Sequence, residues 1–305
     1  PFTIGGGVGT KAGLIFYELG IITGDFVTKY NIEKIEGYLA NKWGLGDNLP
    51  WDHPYKPEQV IEYPFDPSKL ESLNLWLDAS DESTITKDNN NNISEWRDKS
   101  GNDHHGIPDS NSPIYHPNYI EFNNSGIDVD LDFMASQDHS FYIVYEDLGS
   151  YTEQIYGAKN GDNGSNSLHV GYADSSTWRI NTWGDNFYPS MSSNFIKNDY
   201  NIANFRWLDN SGKGMYINGF EEGTTTSAGS LGTMSGGGTI LGDVVGNGRL
   251  TTNVKEIICV LNADITQIND DKITGYLAHK WNLRFRLPEN HPYKYVYPEV
   301  TPPVP

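Results

Sequence analysis

A glycine-centred turn near residue 100 concentrates side-chain oxygens that could bind a metal ion. Asp98, Asn102 and Asp103 lie close together on either side of Gly101. Calcium takes six to eight oxygen ligands from carboxylates, amides and carbonyls, so these three residues are the candidate calcium ligands. Calcium is the one cofactor that the sequence suggests. The alternative is structural, because Asp and Asn side chains also hydrogen-bond the backbone of tight turns.

A second candidate group consists of aromatic and polar side chains around a turn near residue 184. Its members are Trp183, Asp185, Asn186 and Tyr188. Sugar C–H faces stack on aromatic rings, while amide and carboxylate groups bond sugar hydroxyls, so these four residues are the candidate glycan-binding residues. The alternative places Trp183, together with Trp178, in the hydrophobic core, where most tryptophans are largely buried.

The sequence contains no familiar catalytic motif. A glycoside hydrolase needs two carboxylates across a cleft, but the laminarinase-type pattern Glu-x-Asp-x-x-Glu does not occur. The patterns Gly-x-Ser-x-Gly and His-Glu-x-x-His do not occur either. Carboxylates contributed by distant strands keep glycoside hydrolase as a third hypothesis. We therefore expect a protein that is not an enzyme.

Both candidate groups lie between segments with the pattern of β-strands. Apolar and polar residues alternate along many short segments, which is typical of strands that are buried on one face. The predicted strands are 73–78, 93–97, 119–122, 140–146, 154–158, 168–172, 178–183, 203–208, 213–218, 239–241 and 254–261. Frequent turn residues between them predict an all-β fold with two packed antiparallel sheets.

One stretch of the sequence occurs twice. Residues 31–56 and 269–294 are identical at 16 of 26 positions and lie 238 residues apart. Both copies contain Gly-Tyr-Leu-Ala-x-Lys-Trp, then Leu-Pro, then His-Pro-Tyr-Lys. Each copy predicts one short helix near the end of a repeat, capped in the second copy by Thr266 and lying across one end of the sandwich. The His-Pro-Tyr segments are predicted to be structural latches.

The repeat suggests how the chain is divided. Residues 1–57 are predicted to be the C-terminal part of a preceding sandwich repeat, 58–69 a linker, 70–297 a complete domain and 298–305 a proline-rich linker stub. Proline-rich connectors are extended and semi-rigid. A preceding module, or a strand donated by a neighbouring subunit, would complete residues 1–57.

The charge of the chain restricts its partners. Acidic residues outnumber basic residues by 40 to 21, and the formal net charge is −19. Such a field repels phosphate backbones and anionic lipids, which argues against nucleic-acid and membrane partners. No apolar run approaches the length of a membrane span. The single cysteine, Cys259, lies in an apolar run and is predicted to be a small buried hydrophobic residue.

Three motifs resemble a known family. They are Leu75-Trp-Leu-Asp-Ala-Ser80, Trp96-Arg-Asp-Lys-Ser-Gly-Asn102 and Gly275-Tyr-Leu-Ala-His-Lys-Trp281, the last followed by Leu-Pro-x-x-His-Pro-Tyr-Lys. Together they resemble the concanavalin A-like/laminin-G-like jelly-roll modules found in virion structural proteins of marine bacteriophages and in large secreted proteins of aquatic bacteria. The resemblance implies an all-β, two-sheet antiparallel jelly-roll sandwich over residues 70–297, with loops that often hold calcium.

Two functions are expected on these grounds. The first is a non-catalytic structural or display module of a tandem-repeat protein, serving as a fibre, decoration or appendage outside the cell or on a virion. The second is a calcium-dependent carbohydrate-binding lectin or adhesin module whose weak sites act together through avidity. The expected partners are neighbouring repeats, other subunits of a surface assembly, and cell-surface glycans.

Overall fold

The computed structural model describes residues 6–7, 10–11, 28–43, 45–46, 49, 53–56, 65–148, 153–161 and 164–298. The chain divides into two compact units, Pro1–Glu62 and Tyr63–Pro305. In the first unit, β1 (Gly6–Gly7) pairs antiparallel with β2 (Thr10–Lys11), and α1 spans Lys29–Lys42. Residues 1–5, 8–9, 12–27, 44, 47–48, 50–52 and 57 of the predicted preceding repeat, most of the predicted linker and residues 299–305 of the stub lie outside the described residues.

The second unit consists mainly of strands. In its described part the strands are β3 (Leu73–Asp78), β4 (Ile85–Lys87), β5 (Ile93–Trp96), β6 (Ile107–Pro108), β7 (Ile114–His116), β8 (Tyr119–Phe122), β9 (Ile127–Asp128), β10 (His139–Asp147), β11 (Gln154–Ala158), β12 (His169–Asp174), β13 (Thr177–Asn181), β14 (Tyr200–Leu208), β15 (Gly212–Ile217), β16 (Phe220–Thr225), β17 (Gly238–Ile240) and β18 (Thr252–Leu261). One α-helix, α2 (Gln267–Lys280), follows the last strand.

These strands form a two-sheet antiparallel sandwich. The larger sheet has the order β16-β15-β14-β10-β18-β8-β7, and β3 also pairs with β18, next to the segment that β8 uses. The smaller sheet has the order β13-β12-β11-β17-β9-β6, and β4 pairs with β5 separately. The all-β sandwich predicted from the alternation pattern is confirmed.

The hydrophobic core lies between the two sheets. Trp178 on β13 is fully buried there and contacts Phe195 and Phe205 edge-on, with ring centroids 5.1 and 6.1 Å apart. Burying a large apolar side chain contributes about 1.5–3 kcal/mol. Because successive strand residues point to opposite faces, the inward position of Trp178 directs its neighbours Arg179 and Thr177 to the outer face of the smaller sheet.

Helix α2 forms a third layer on the outer face of the larger sheet, so its predicted position across one end of the sandwich is wrong. Ile273 and Leu277 of the helix pack in one cluster with sheet residues that include Trp76, Tyr142 and Ile258. The outer face of β3, β10 and β18 is itself apolar, and the apolar stripe of a helix is what can cover it.

The N-terminal cap of α2 is the one that the sequence predicts. The hydroxyl of Thr266 accepts a hydrogen bond from the backbone N of Asn269 at 3.2 Å, which caps the helix. Asn282 has a φ of 58°, a conformation that commonly ends helices. Among the described residues, no helix is both long enough and apolar enough to span a membrane.

Candidate functional site

The motifs of the sequence meet in a buried polar network between α2 and the larger sheet. Glu256 on β18 is fully buried, and its carboxylate accepts four hydrogen bonds. The donors are Trp76 Nε1 at 2.7 Å, Tyr276 Oη at 3.0 Å, Trp281 Nε1 at 2.6 Å and Lys280 Nζ at 2.9 Å. Burial raises the pKa of Glu256, and Lys280 opposes that rise. Four donors match the ionised carboxylate, which accepts only.

Asp78 shares the ammonium group of Lys280 with Glu256. Its Oδ2 lies 2.9 Å from both Lys280 Nζ and Lys99 Nζ. Burial alone would raise the pKa of Asp78, but the two cations outweigh it and hold the pKa at about 2. Lys99 Nζ also lies 4.2 Å from the ring centroid of Trp76. The network therefore fastens α2 and the turn after β5 to β3.

Asp98, a predicted calcium ligand, holds the turn after β5 together. Its Oδ1 accepts from the backbone N of Trp76 at 2.8 Å and from that of Ser100 at 2.9 Å. Its Oδ2 accepts from Ser100 Oγ at 2.6 Å and from the backbone N of His104 at 3.1 Å. Both carboxylate oxygens therefore serve the turn, as the structural alternative proposes.

The other two predicted calcium ligands differ in their surroundings. Asn102 donates from Nδ2 to the carbonyl of Leu73 at 2.9 Å, which ties the turn to β3. The side chain of Asp103 is 90% exposed and lies 3.9 Å from His105 Nε2. No group of three or more His, Cys, Asp or Glu side chains in the described part of the chain is arranged to hold a metal ion. Calcium binding at this turn stays a prediction.

The predicted glycan-binding residues lie on a hairpin at the edge of the smaller sheet. Residues 185–190 run back beside β13, and their carbonyls accept from the backbone N of Ile180 at 3.0 Å and of Trp178 at 2.9 Å. Thr182 and Asp185 exchange backbone hydrogen bonds of 3.0 and 3.2 Å across the turn. Gly184 has a φ of 106°, which favours glycine at the third turn position.

The register of this hairpin brings several polar side chains to the outer face. Tyr188 lies opposite Arg179 and Asn186 lies opposite Asn181, because the backbone pairs on either side fix the alignment. On the other edge of β13, Asn181 pairs with His169 of β12. Directly opposite residues of antiparallel strands point to the same face. The Arg179 Cζ atom accordingly lies 6.0 Å from the ring centroid of Tyr188.

Trp183 is the exposed tryptophan of the second unit. Its side chain is 50% exposed, whereas Trp281 is partly buried and four others are buried: Trp76, Trp96, Trp178 and Trp207. The ring of Trp183 lies against that of His169, with centroids 4.9 Å apart. A Cβ atom at Gly161 would lie 2.8 Å from the indole Nε1, so glycine leaves room for the ring. The core placement considered for both tryptophans holds for Trp178 and is wrong for Trp183.

Asp185 positions the hairpin. Its Oδ1 accepts from Lys213 Nζ at 2.6 Å, and its Oδ2 accepts from the backbone N of Gly229 at 2.6 Å. The Lys213 side chain is fully buried, and its Nζ lies 4.4 Å from the ring centroid of Trp207. Burial lowers the pKa of Lys213, while Asp185 opposes the change. Both carboxylate oxygens of Asp185 therefore bond groups of the protein. Asn186 is exposed and Tyr188 is half exposed, so these two side chains are more accessible to a ligand.

The surroundings of the imidazole beneath Trp183 favour its neutral form. Burial lowers the pKa of His169, a hydrogen bond to Ser167 opposes the change, and the nearby cations Arg179 and Lys213 lower the pKa further. The hydrogen bond joins Nδ1 to the Ser167 carbonyl at 2.6 Å, so Nδ1 is the donor. The outer face thus combines two exposed rings, two amides, an imidazole and one guanidinium. Such groups bind by stacking and hydrogen bonding.

Arg179, Asn181 and His169 are absent from the set predicted from the sequence. Alternation is a usable signal for Arg179 and Asn181, which alternate with the core residues Trp178 and Ile180 along one strand. His169 likewise lies between the core residues Leu168 and Val170, but its contact with Trp183 depends on how β12 and the hairpin turn meet.

The His-Pro-Tyr segments make the same contacts in both units, which supports their predicted structural role. In each unit the tyrosine backbone N donates to the histidine Nδ1 at 3.2 Å, and the following lysine Nζ donates to a leucine carbonyl at 2.6–2.7 Å. The corresponding residues are His53, Tyr55, Lys56 and Leu49 in the first unit and His291, Tyr293, Lys294 and Leu287 in the second.

Acid is expected to destabilise the second unit through two histidines, His291 of this closing segment and His279 of α2, which contacts the Tyr293 carbonyl. Burial is the main cause that lowers the pKa of His279 and of His291 to about 4. In the unfolded chain these two histidines bind protons near pH 6.5, whereas in the folded chain they bind protons near pH 4. The free energy of unfolding is therefore highest above pH 6.5 and decreases as the pH falls from 6.5 towards 4. We expect a slope of about 1.4 kcal/mol per pH unit for each histidine in urea unfolding.

A histidine variant tests this assignment. His291→Gln should reduce the slope of unfolding free energy against pH by the equivalent of about one proton. Burial also lowers the pKa of His139 to about 4, so this histidine continues to contribute to the slope. A wild-type unfolding free energy that stays constant between pH 6.5 and 5 would contradict the prediction.

Comparisons with known proteins give structural neighbours only. No family model matches the sequence, and no curated protein matches it. The chain is similar to domain 4 of AbnA, a GH43 extracellular arabinanase from Geobacillus stearothermophilus solved with arabinotriose, with a TM-score of 0.47, 14% identity, and coverage of 63% of this chain and 93% of that one.

Two further neighbours are longer proteins, and this chain matches less than half of each. One is a botulinum neurotoxin type C structure, with a TM-score of 0.43 and 12% identity, covering 62% of this chain and 48% of that one. The other is Trypanosoma rangeli sialidase in complex with the inhibitor DANA, with a TM-score of 0.47 and 16% identity, covering 74% of this chain and 36% of that one. Similarities of this size carry no inference about ligand or activity.

Proposed function

We propose that the second unit is a non-catalytic carbohydrate-binding module whose site is the outer face of the β13 hairpin. The observation that carries this proposal is the position of Trp183. Its ring is half exposed at the tip of a turn that is held in place from below by His169 and from the side by the backbone bond to Ser167 Oγ, at 3.1 Å. A sugar ring gains most from an aromatic face that is already ordered, because little side-chain entropy is lost on binding.

The polar residues around Trp183 suit sugar hydroxyls. Asn186 is exposed, Tyr188 is half exposed, and both lie on the same face of the hairpin. Amides and phenolic hydroxyls both donate and accept hydrogen bonds, as a sugar hydroxyl does. The anchor formed by Asp185 and Lys213 keeps the hairpin rigid, since both groups bond within the protein at 2.6 Å.

Replacing Trp183 by Ala is expected to remove binding. The full-length chain, displayed on beads and screened against an array of neutral and charged oligosaccharides, should bind at least one class of glycan. Trp183→Ala should weaken that binding at least about tenfold, equivalent to ~1.4 kcal/mol, because Trp is among the residues that dominate binding energies. Its melting temperature should stay close to that of the wild type, since the side chain is half exposed.

Phe285 provides the matched control. It is an aromatic residue that is 40% exposed and lies after α2, away from the hairpin in sequence. Phe285→Ala should retain wild-type binding. Equal loss in both variants, or a folded wild-type chain that binds no glycan on the array, would count against the hairpin site.

We also propose that the chain belongs to a surface protein built from repeated modules, outside the cell or on a virion. The recurring His-Pro-Tyr-Lys contacts of the two units support this, because they indicate that the duplicated sequence is used for the same packing. Repetition would multiply a weak sugar site by avidity. Antibodies against the chain should label intact particles or unpermeabilised cells, and labelling only after permeabilisation would contradict this location.

A further inference from the structure

The outer face of the hairpin contains a cation, Arg179, for which the described part of the chain supplies no counter-charge. No carboxylate among the described residues lies within 4.0 Å of the half-buried Arg179 guanidinium. Its Nε is buried and makes no hydrogen bond. A partly desolvated cation without a partner costs free energy, and such groups in a folded protein require an explanation.

Three other arginines of the second unit have acidic partners. Arg206 pairs with Asp270, Arg249 with Asp109 and Arg286 with Asp199. In the full sequence acidic residues outnumber basic residues by 40 to 21, so carboxylates are in excess as partners for its cations. The other cation near the hairpin, Lys213, is neutralised by Asp185 at 2.6 Å.

The groups around Arg179 indicate where a ligand would lie. Tyr188 is directly opposite Arg179 on the returning segment, and Asn181 is the next outward residue along β13. The Asn181 side chain is fully buried, its Oδ1 accepts from the backbone N of Phe187 at 2.7 Å, and its Nδ2 has no acceptor. Guanidinium and amide donors without acceptors therefore lie side by side, next to the exposed rings.

We propose that this face selects glycans that contain a carboxylated sugar, such as a uronic acid, and that Arg179 pairs with the sugar carboxylate. The proposal rests on the carbohydrate-binding function proposed above. The planar guanidinium fork matches a carboxylate through two parallel hydrogen bonds. Trp183 and Tyr188 contact the apolar faces of the sugar rings. The net charge of −19 disfavours densely sulfated polymers, whose many charges meet the field of the whole molecule.

The test uses matched oligosaccharides that differ in one charge. The full-length chain is titrated with an oligosaccharide that carries a single uronic acid, with its methyl ester and with the corresponding neutral oligosaccharide. The wild type should bind the acid at least about tenfold more tightly than the ester, and this preference should shrink as salt is added. Arg179→Gln should bind all three ligands equally, and Arg179→Lys should keep part of the preference because it retains charge without the fork.

The outcomes separate this inference from the proposed function. Equal binding of acid and ester by the wild type, or an undiminished preference in folded Arg179→Gln, overturns the role of Arg179. If Trp183→Ala still loses neutral-sugar binding in that case, the carbohydrate site itself stands. Binding of sulfated polymers alone overturns the carboxylate assignment. A folded chain that binds none of these ligands and no glycan on the array overturns both proposals.

Discussion

Replacing Glu256 by Ala is expected to lower the unfolding free energy of the second unit by about 3–5 kcal/mol. The substitution removes the fully buried carboxylate that is the acceptor for Trp76 Nε1, Trp281 Nε1 and Tyr276 Oη. It also leaves Lys280 with Asp78 as its remaining carboxylate. Each buried donor without an acceptor costs about 1–3 kcal/mol, and a buried charge costs more.

Denaturant titration of the full-length chain measures this loss of stability. Two further variants serve as comparisons. Glu221→Ala removes an exposed carboxylate of β16 and should change stability by no more than about 0.5 kcal/mol. Glu256→Gln keeps the shape and one acceptor oxygen, so its loss should be smaller than that of Glu256→Ala. A loss below about 1 kcal/mol for Glu256→Ala would mean that the network contributes little to holding α2 on the sheet.

Replacing Gly275 by Ala is expected to destabilise the second unit by about 1–3 kcal/mol, opposite in sign to the usual effect. Ala normally stabilises a helix interior by up to about 1 kcal/mol relative to Gly. Here the added Cβ would lie 2.6 Å from Tyr293 Cβ and 3.1 Å from Tyr293 Cγ. Backbone-linked atoms cannot move away cheaply, so the helix or the closing segment must shift.

Thermal and denaturant unfolding of Gly275→Ala check the sign, and Tyr293→Gly checks the cause. In the Tyr293→Gly background the same substitution at 275 should be much less harmful, because both clashing atoms, Tyr293 Cβ and Cγ, are gone. The corresponding residues of the first unit, Gly37 and Tyr55, make the same close approach. A stabilising Gly275→Ala in the wild-type background would contradict the packing described here.

Much of the sandwich could be predicted because its strands are short apolar-rich segments between turn residues, although β3 and β11 are buried on both faces. The bounds of β3, β8 and β11 coincide with the predicted segments 73–78, 119–122 and 154–158. The edge strand β16 is absent from the predicted strands, and its sequence Phe-Glu-Glu-Gly-Thr-Thr explains why. None of its residues is fully buried, so backbone pairing with β15 holds it in place without a hydrophobic pattern.

The candidate site could be predicted only in part, because two tryptophans five residues apart have opposite surroundings. Trp178 lies in the strand and faces the core, whereas Trp183 lies beyond the strand end, where alternation no longer applies. Residue type predicted Trp183 and Tyr188 as candidate binding residues, and both are exposed. It could not predict that the Asp185 carboxylate bonds the ammonium group of Lys213, because this pair joins the hairpin to a strand of the other sheet.

The position of β18 in the larger sheet has a consequence for biosynthesis. This late strand lies between β10 and the early strand β3, and its Glu256 bonds a residue 180 positions earlier in the chain. A nascent polypeptide that has not yet reached residue 261 lacks a central strand of this sheet. Contacts so distant in sequence also slow folding, because a long loop must close before they form. The domain therefore completes its fold only after nearly all of it has left the ribosome.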